Sequence, residues 1–314
     1  MKYLARRTFH GLALLLGVSV LSFLFAQLAP GDYFSELRLD PRVSAATVDG
    51  LRAQSGLDRP LPVRYLRWIA SVAQGDFGYS LAYRGPVAPL LWPRLRATLL
   101  LAGSATFLAW LFAVPWGIWA AAQRGTWRDS LSNAALAVLL SIPDLLLAIA
   151  LLVFAVQSGW FPAGGMNSPG ESSVRDLLWH LALPAAVLAA GMMPSLARHV
   201  RASMLEAMDS PFALAARAQG IPRGRRLFRH LLPAALNPLI SLFGISLGTL
   251  LSASLLIEVV MGWPGLGPLF LDAVMARDFA LALAVVMLSA AFLVAGNLVA
   301  DLLLYRADPR IRTS

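Results

Sequence analysis

Long apolar stretches recur along this chain and restrict what it can fold into. An α-helix needs about 20 apolar residues to cross the roughly 30 Å hydrocarbon core of a bilayer. Six segments of about this length are present, so the sequence predicts an all-α membrane protein with six transmembrane helices. The predicted spans are residues 8–28, 98–121, 131–156, 177–196, 237–257 and 279–304.

Composition and local sequence support this fold class. Hydrophobic residues make up 58% of the 314 residues and charged residues only 14%, whereas soluble domains average about 45–50% and about 25%. Pro184, Gly191 and Pro194 interrupt the fourth span, which a membrane tolerates where neighbouring helices satisfy the freed backbone groups. The first span follows basic residues as a secretory signal does. Its apolar stretch is longer, however, and it lacks an A-x-A pattern, so we expect an uncleaved helix.

The distribution of basic residues predicts the topology. With the N-terminus in the cytoplasm, the cytoplasmic regions contain 15 of the 26 basic residues, and the two short opposite loops contain only Arg175 and Arg277. The others lie in the segment 30–97, and long segments translocate regardless of their charge. We therefore expect both termini to be cytoplasmic. The net charge of +9 then reflects membrane topology and contact with lipid, and no nucleic-acid partner is expected.

The predicted organisation has four parts: residues 1–29 form the cytoplasmic N-terminus and first span, 30–97 an external segment, 98–304 the membrane core, and 305–314 a cytoplasmic tail. Two short amphipathic stretches, Ser44–Gln54 and Val63–Val72, are predicted in the external segment. Tyr65 and Trp68 on the second suit an interfacial position. We expect this segment to be a small cap on the outer membrane face, because it has too few apolar residues to fold alone.

Several kinds of chemistry are excluded by residue counts. The chain has no cysteine, and its four histidines are scattered, so no metal site or catalytic residue is predicted. Lys2 is the only lysine, and a phosphate-binding G-x-x-x-x-G-K-[ST] loop requires a lysine after its second glycine. The chain therefore cannot supply such an ATPase site, and any use of ATP must come from a partner.

The predicted cytoplasmic loop 198–233 contains the most distinctive local pattern. Ser210-Pro211 marks a helix start, Phe212–Gln219 is predicted as a short alanine-rich helix, and Gly220 suits a left-handed C-terminal cap. Arg223–Arg229 then contains four arginines. This pattern is typical of a stiff projection that another protein can approach closely. It also fits an ordinary loop that obeys the positive-inside rule, and composition alone leaves both interpretations open.

A family resemblance favours the first interpretation. The spacing of Ala215-Ala216, Gly220 and Leu232-Pro233 resembles the E-A-A-x-x-x-G-x(9)-I-x-L-P signature of bacterial ABC importer permeases. Leu214 stands where that signature has glutamate, and His230 where it has isoleucine. The variant sequence looks like the peptide and nickel permease subfamily, whose members commonly lack the glutamate. The resemblance implies that Leu214, Ala215, Ala216, Gly220, Leu232 and Pro233 couple the chain to an ATPase.

Other stretches extend this resemblance over nearly the whole chain. They include Gly262-Trp-Pro-Gly-Leu-Gly267 between the last two spans, and residues 29–32, 56–62 and 75–80 in the external segment, which is typical of the B-type permease of dipeptide and oligopeptide systems. The resemblance implies a type I importer fold and four kinds of partner or cofactor outside this chain. These are a second homologous permease, two ATP-binding subunits, an extracytoplasmic solute-binding protein, and ATP with magnesium on the ATP-binding subunits.

Candidates for the translocation path come from the membrane segments. Gly244, Gly248 and Ser252 are spaced four apart on one face of the fifth span, where small residues either allow close helix packing or leave room for a solute. Among the membrane carboxylates, Asp144 follows a proline in the third span and is the candidate for a buried role. Glu258 and Asp301 lie near predicted helix ends, where we expect water or headgroups to reach them.

The main alternative function is a secondary transporter driven by protons or sodium. Such proteins carry coupled carboxylates at the bilayer midplane and broken helices in inverted repeats, whereas this chain offers Asp144 and no clear repeat. A membrane enzyme would need a catalytic constellation that the sequence does not contain. Within the importer interpretation, the solute is predicted to be a di- or oligopeptide, with a nickel chelate or a glutathione-like molecule as alternatives.

Overall fold

The computed structural model describes residues 2–28, 38, 44, 46, 48, 50, 59–171 and 173–307. The amphipathic stretch predicted at Ser44–Gln54 lies largely outside these residues, as does the tail from residue 308. The described chain is mostly helical. Its elements in chain order are α1 (Lys2–Leu28), α2 (Leu61–Ala73), β1 (Tyr79–Ser80), β2 (Gly85–Pro86), α3 (Val87–Ala122), α4 (Trp127–Ser141), α5 (Asp144–Ser158), α6 (Val174–Met208), α7 (Pro211–Ala218), α8 (Arg223–Arg225), a π-helical turn (Arg226–Leu231), α9 (Leu232–Val260), α10 (Leu266–Met275) and α11 (Phe279–Ala307).

Several of these helices have the length and apolar character of membrane spans. Helices α1, α3, α6 and α11 satisfy both conditions, and α4 with α5 would add a fifth span if the bent pair crosses as one. Helix α9 is 29 residues long and covers the predicted fifth span. The predicted helical protein with several spans is confirmed, while the number six and the orientation of the termini remain predictions.

The third predicted span, 131–156, is not one straight helix. It is divided into α4 and α5, which meet at an angle of 85°. Ile142 at the break has an extended conformation, with φ −84° and ψ 116°, as expected for a residue that precedes proline. Pro143 also lacks the N–H that would continue the ladder of α4. A single continuous helix over this span was therefore a wrong prediction, whereas a membrane crossing by the bent pair stays a prediction.

The fourth predicted span was expected to be interrupted, but in the structure it belongs to a continuous helix. Helix α6 runs without a break through Pro184 and Pro194, and it continues to Met208, well into the predicted loop 198–233. Both prolines are buried, and α3, α4, α5 and α9 all pack against α6. A proline removes only one helical hydrogen bond, and this dense packing holds the helix together around the two sites.

The centre of the fold is the crossing of α3 and α6, where glycine allows close approach. A Cβ atom added to Gly117 of α3 would lie 2.6 Å from Cβ of Val200 and 2.7 Å from the carbonyl oxygen of Ala197. Both partner residues are on α6 and fully buried. The two backbones are therefore too close to admit a side chain at residue 117. By contrast, a Cβ added to Gly103 of the same helix meets no atom within 4 Å.

Helix α1 lies at the edge of the molecule and is held by α11 and α2. Phe23 of α1 is buried, and its ring centre lies 5.5 Å from Tyr65 and 5.7 Å from Trp68 of α2. The Tyr65 hydroxyl also lies 2.8 Å from the hydroxyl of Ser19. The predicted amphipathic helix at Val63–Val72 is thus confirmed, and its two aromatic residues pack on the first membrane helix.

A small hairpin connects the start of α3 to the start of α11. Strands β1 and β2 pair antiparallel, and the buried Ser80 hydroxyl donates a hydrogen bond of 2.6 Å to Asp278. The same carboxylate accepts the backbone N–H of Ala82 at 3.1 Å and that of Leu281, in the first turn of α11, at 3.2 Å. Asp278 therefore connects the hairpin to the helix by three hydrogen bonds.

Replacing Asp278 with alanine is expected to loosen this hairpin. The substitution leaves a buried hydroxyl and two backbone N–H groups without their acceptor, and each loss costs about 1–3 kcal/mol. Amide hydrogen exchange in residues 79–86 is expected to accelerate about tenfold or more. Asp272→Ala is the matched control, because within the described residues the exposed carboxylate of Asp272 accepts a single hydrogen bond, from the Tyr83 hydroxyl. Equal exchange rates in the two variants would contradict this role for Asp278.

The turn between α9 and α10 is built around Glu258, which is fully buried. The prediction that water reaches Glu258 is therefore wrong. Its carboxylate accepts the backbone N–H of Gly267 at 2.7 Å, and a Cβ atom at Gly265 would collide with the same carboxyl group. Trp263, also fully buried, donates its indole N–H to the carbonyl of Ala97 on α3 at 2.9 Å. The glycines of this turn thus create the space that encloses the carboxylate.

Candidate coupling surface and membrane cavity

The projection predicted in the loop after α6 is a helix in the structure. Helix α7 extends from Pro211 to Ala218, and Ser210 before it has the extended backbone of an N-cap residue, with φ −72° and ψ 152°. Proline at the first position suits this start, because its missing N–H would have no helical partner there. The predicted helix at Phe212–Gln219 is confirmed to within one residue at each end.

The C-terminus of α7 is closed by Gly220, as its sequence predicts. Gly220 has a φ of +73°, a conformation that glycine adopts without strain. Its N–H donates to the carbonyl of Arg217 at 3.1 Å, and the N–H of Ile221 donates to the carbonyl of Ala216 at 3.2 Å. This pair of bonds is a Schellman motif, which satisfies carbonyls at the end of the helix and reverses the chain.

The residues of α7 separate into a buried face and an exposed face. Ala213 and Ala216 are buried, and Ala213 belongs to an apolar cluster with Met204 of α6 and Leu231 before α9. Leu214 is 60% exposed, and Ala215 is exposed beside it. The two alanines of the signature therefore have different surroundings: one is buried within this chain, and the other is open to a partner.

Leu232 and Pro233 begin the membrane helix α9. Leu232 is half-buried against the apolar cluster under α7, and Pro233 is exposed. Between α7 and these residues the chain forms a π-helical turn, Arg226–Leu231. The predicted coupling residues therefore fall on two connected elements, and the buried Leu231 joins them to one apolar cluster.

Two ion pairs stabilise the C-terminal end of α6, which directly precedes α7. Arg201 donates two hydrogen bonds to Asp129 of α4, at 2.9 and 2.8 Å. Arg124, in the connection between α3 and α4, donates to both carboxylate oxygens of Asp209 at 2.9 and 2.8 Å. Sequence analysis did not predict either pair. The sequence feature that could have indicated them is the presence of isolated carboxylates among the arginines of the predicted cytoplasmic side.

A polar cavity of about 440 Å³ lies beside α7. Arg124, Asp209, Arg217 and Arg226 contribute its charged groups, and Leu214 forms part of its apolar edge. The exposed face of α7 is thus bordered by three guanidinium groups and one carboxylate. Such a border favours an acidic protein surface over a basic one.

A second cavity of about 460 Å³ lies between the start of α5 and the helices α6 and α9. Its lining comes from one face of each long helix, with residues spaced three or four apart. The lining residues are Asp144, Leu188, Gly191, Met192, Ser195, Leu196, His199, Leu242, Ser246, Leu250 and Ala253.

Asp144 is the only carboxylate among the described residues that line this cavity. It is half-buried and packs against the backbone of α6, where a Cβ atom at Gly191 would lie 2.8 Å from the carboxyl carbon of Asp144. Gly191 is the midpoint of helix α6, Val174–Met208. The carboxylate therefore lies at about half the length of α6.

The other predicted path residues are less well defined. Gly244, Gly248 and Ser252 lie within helix α9, and the surroundings of their side chains fall outside the described structure. Ser195 and Ser246 line the cavity instead, and sequence reasoning did not single them out. The sequence feature that could have indicated Ser246 is its spacing of four residues from both Leu242 and Leu250, which puts the three side chains on one face of α9. Asp301, the last of the membrane carboxylates, lies 3.4 Å from Arg7 of α1.

Comparison with known proteins places this geometry in context. The family described as "Binding-protein-dependent transport system inner membrane component" matches residues 113–313. The corresponding N-terminal family, "Binding-prot-dependent transport system membrane comp, N-term", matches residues 1–102. Together the two matches cover the chain except for residues 103–112, within α3, and residue 314.

Curated relatives match over nearly their full length. The chain is 38% identical to the oligopeptide transport system permease protein AppB of Bacillus subtilis, over 98% of each chain. It is 34% identical to the glutathione transport system permease protein GsiC of Escherichia coli K12, over 99% of each chain. It is also 37% identical to a putative peptide permease of Brucella suis, over 100% of each chain.

Solved structures show the same fold at lower identity. A chain of the MetNI methionine ABC transporter, in an inward-facing conformation, superposes with a TM-score of 0.58 and 22% identity, over 70% of this chain and 96% of that one. An amino acid ABC transporter crystallised with histidines gives a TM-score of 0.53 and 19% identity, over 69% and 94%. At these identities the likeness concerns the fold alone.

Proposed function

Because this chain belongs to the family of binding-protein-dependent transport system inner membrane components, we propose that it is one permease subunit of an ATP-driven peptide importer. The observation that carries this proposal is α7, a capped and braced helix that exposes Leu214 and Ala215. The chain that presents this helix lacks the lysine needed for a phosphate-binding loop of its own.

The proposed assembly contains several chains. A second homologous permease pairs with this one, two ATP-binding subunits hold ATP and magnesium, and an extracytoplasmic binding protein delivers the solute. Six spans with both termini in the cytoplasm place α7 on the ATPase side, in agreement with the arginine-rich composition of that side. This chain then forms half of the translocation path and binds no cofactor itself.

The proposed coupling acts through α7 and α6. An ATPase surface packs over Leu214 and Ala215, with Gly220, Leu232 and Pro233 fixing the position of the helix. Ala216 supports the same contact indirectly, because its buried side chain packs α7 against the rest of this chain. Closure of the ATPases on nucleotide displaces α7 and shifts the permease between outward-open and inward-open states. ATP thus drives a population shift between two conformations.

Small peptides are the proposed solutes. The names of the relatives specify oligopeptides in one case and glutathione in another, and both are compounds with amide-linked amino acids. The cavity of about 460 Å³ lies within the range of roughly 300–1,000 Å³ that small-molecule sites occupy. We assign this cavity, with Asp144 and the α9 residues Gly244, Gly248 and Ser252, to the translocation path.

Reconstitution tests the proposed function. The chain, its partner permease and the ATPases are inserted into liposomes with the binding protein outside, and uptake of radiolabelled dialanine is measured. Uptake is expected only when ATP and the binding protein are both present. A photocrosslinker at residue 215 is expected to capture an ATPase subunit. Uptake driven by a proton or sodium gradient without ATPases would instead establish a secondary transporter.

A further inference from the structure

We propose that the cavity between α5, α6 and α9 binds the ammonium group of the peptide solute, with the Asp144 carboxylate as its acceptor. This inference rests on the proposed function and adds the chemical class of solute that the membrane path selects. It assigns a binding role to this chain that is separate from selection by the external binding protein.

The first step in the argument is the position of the charge. Asp144 lies against Gly191 of α6, within the predicted span 177–196, and a carboxylate inside a membrane span is expensive unless a partner compensates it. Asp144 is the first residue of α5, but its helix has no side-chain cap hydrogen bond. Within the described part of the chain, no hydrogen bond or ion pair to Asp144 is found. The carboxylate can therefore accept hydrogen bonds from a partner that this part of the chain does not supply.

The second step is the sign of the charge in the cavity. No lysine or arginine is present among the described residues of the lining, and Asp144 is the one acidic group there. His199 lies at the far end of the α6 face, where its Nδ1 contacts the carbonyl of Ser195 at 2.8 Å. A single carboxylate between low-dielectric walls attracts cations and repels anions.

The third step is the polar and apolar character of the remaining wall. Ser246 donates its hydroxyl to the carbonyl of Leu242 at 2.6 Å. Leu188 and Leu250 add apolar surface to the same lining. An ammonium group has three donors and no acceptor, so a carboxylate with hydroxyl oxygens nearby matches it, and short side chains fit the apolar part.

The chain offers an unusually clean test because it has no cysteine. Ser195→Cys in the assembled transporter, with partner subunits freed of cysteine, places one thiol in the cavity. The rate at which a thiosulfonate reagent modifies this thiol is measured with dialanine, and with N-acetyl-dialanine, which lacks the ammonium group. Dialanine is expected to slow the reaction at about tenfold lower concentration than its acetylated analogue, since a hydrogen bond to a charged group changes affinity by at least such a factor.

Adding Asp144→Asn is expected to abolish this difference between the two solutes. Glu171→Gln is the matched control, because it also removes one carboxylate charge but lies in the exposed connection between α5 and α6. In uptake experiments, Asp144→Asn is expected to lower dialanine import about tenfold, whereas Glu171→Gln leaves it unchanged.

Three outcomes would overturn the inference. Equal protection by both solutes, unaffected by Asp144→Asn, would show that the cavity does not recognise an ammonium group, while peptide import itself would stand. Separation of the two permeases in Asp144→Asn would show that the carboxylate pairs with a cation of the partner permease. Absence of dialanine uptake by the unmodified transporter would remove the proposed function together with this inference.

Discussion

Replacing Ala215 with tryptophan is expected to abolish solute-stimulated ATP hydrolysis while leaving the permease folded. Ala215 is exposed on α7, whereas Ala213 and Ala216 pack inward, so a large side chain at residue 215 projects away from the core of this chain. It collides instead with whatever packs over α7. Disrupting a central interface contact commonly costs about 2 kcal/mol or more, so stimulated hydrolysis by the reconstituted complex is expected to fall by about tenfold or more.

Ala134→Trp provides the comparison for this experiment. Ala134 is an exposed alanine on α4, on a helix that does not carry the coupling surface. This variant is expected to hydrolyse ATP at the unmodified rate, and both variants should elute as single species in detergent. Full stimulated activity in Ala215→Trp would rule out α7 as the contact with the ATPase.

Replacing Gly117 with leucine is expected to destabilise the permease fold itself. Even a Cβ atom at residue 117 would overlap Val200 and the backbone of Ala197 on α6, so the two longest helices of the core would have to separate. Overpacking of a tight core costs about 1–3 kcal/mol, and 1–2 kcal/mol already lowers the folded-to-unfolded ratio about 5–30-fold. The yield of monodisperse protein in mild detergent and its melting temperature are both expected to fall.

Gly103 supplies the control on the same helix. A side chain at residue 103 meets open space in the structure, and leucine is compatible with the apolar groove that this residue lines. Gly103→Leu is therefore expected to retain the yield and melting temperature of the unmodified chain. If the two leucine variants were equally stable, the close crossing of α3 and α6 would not be what holds the fold together.

Local sequence was sufficient for the features whose cause is local. The start of α7 follows from Ser210-Pro211, and its end from Gly220, because the capping conformations of serine, proline and glycine depend on their own backbone chemistry. The apolar length of four segments similarly predicted helices α1, α3, α6 and α11, which are long and apolar enough to cross a membrane. These features need no knowledge of what packs against them.

Features that depend on tertiary contact could not be predicted in this way. Pro143 ends α4 sharply, whereas Pro184 and Pro194 leave α6 continuous, and what distinguishes them is the packing of neighbouring helices. Glu258 looked accessible because it lies near a helix end, yet the glycine turn after it encloses the carboxylate. In both cases the decisive partner is distant in sequence or becomes adjacent only after folding.

The unbroken course of α6 has a mechanical consequence. One hydrogen-bonded helix extends from Val174, past Asp144 at its midpoint, to Met208, which precedes α7. Seventeen residues separate the midpoint from the last residue of the helix, a lever arm of about 26 Å at 1.5 Å per residue. A tilt of about 10° around that midpoint would displace the α7 end by about 4.5 Å while Gly191 stays almost still. In the proposed importer, nucleotide-driven motion is therefore expected to be large at α7 and small at Asp144, so the proposed contact with the solute would lie at the pivot of the motion.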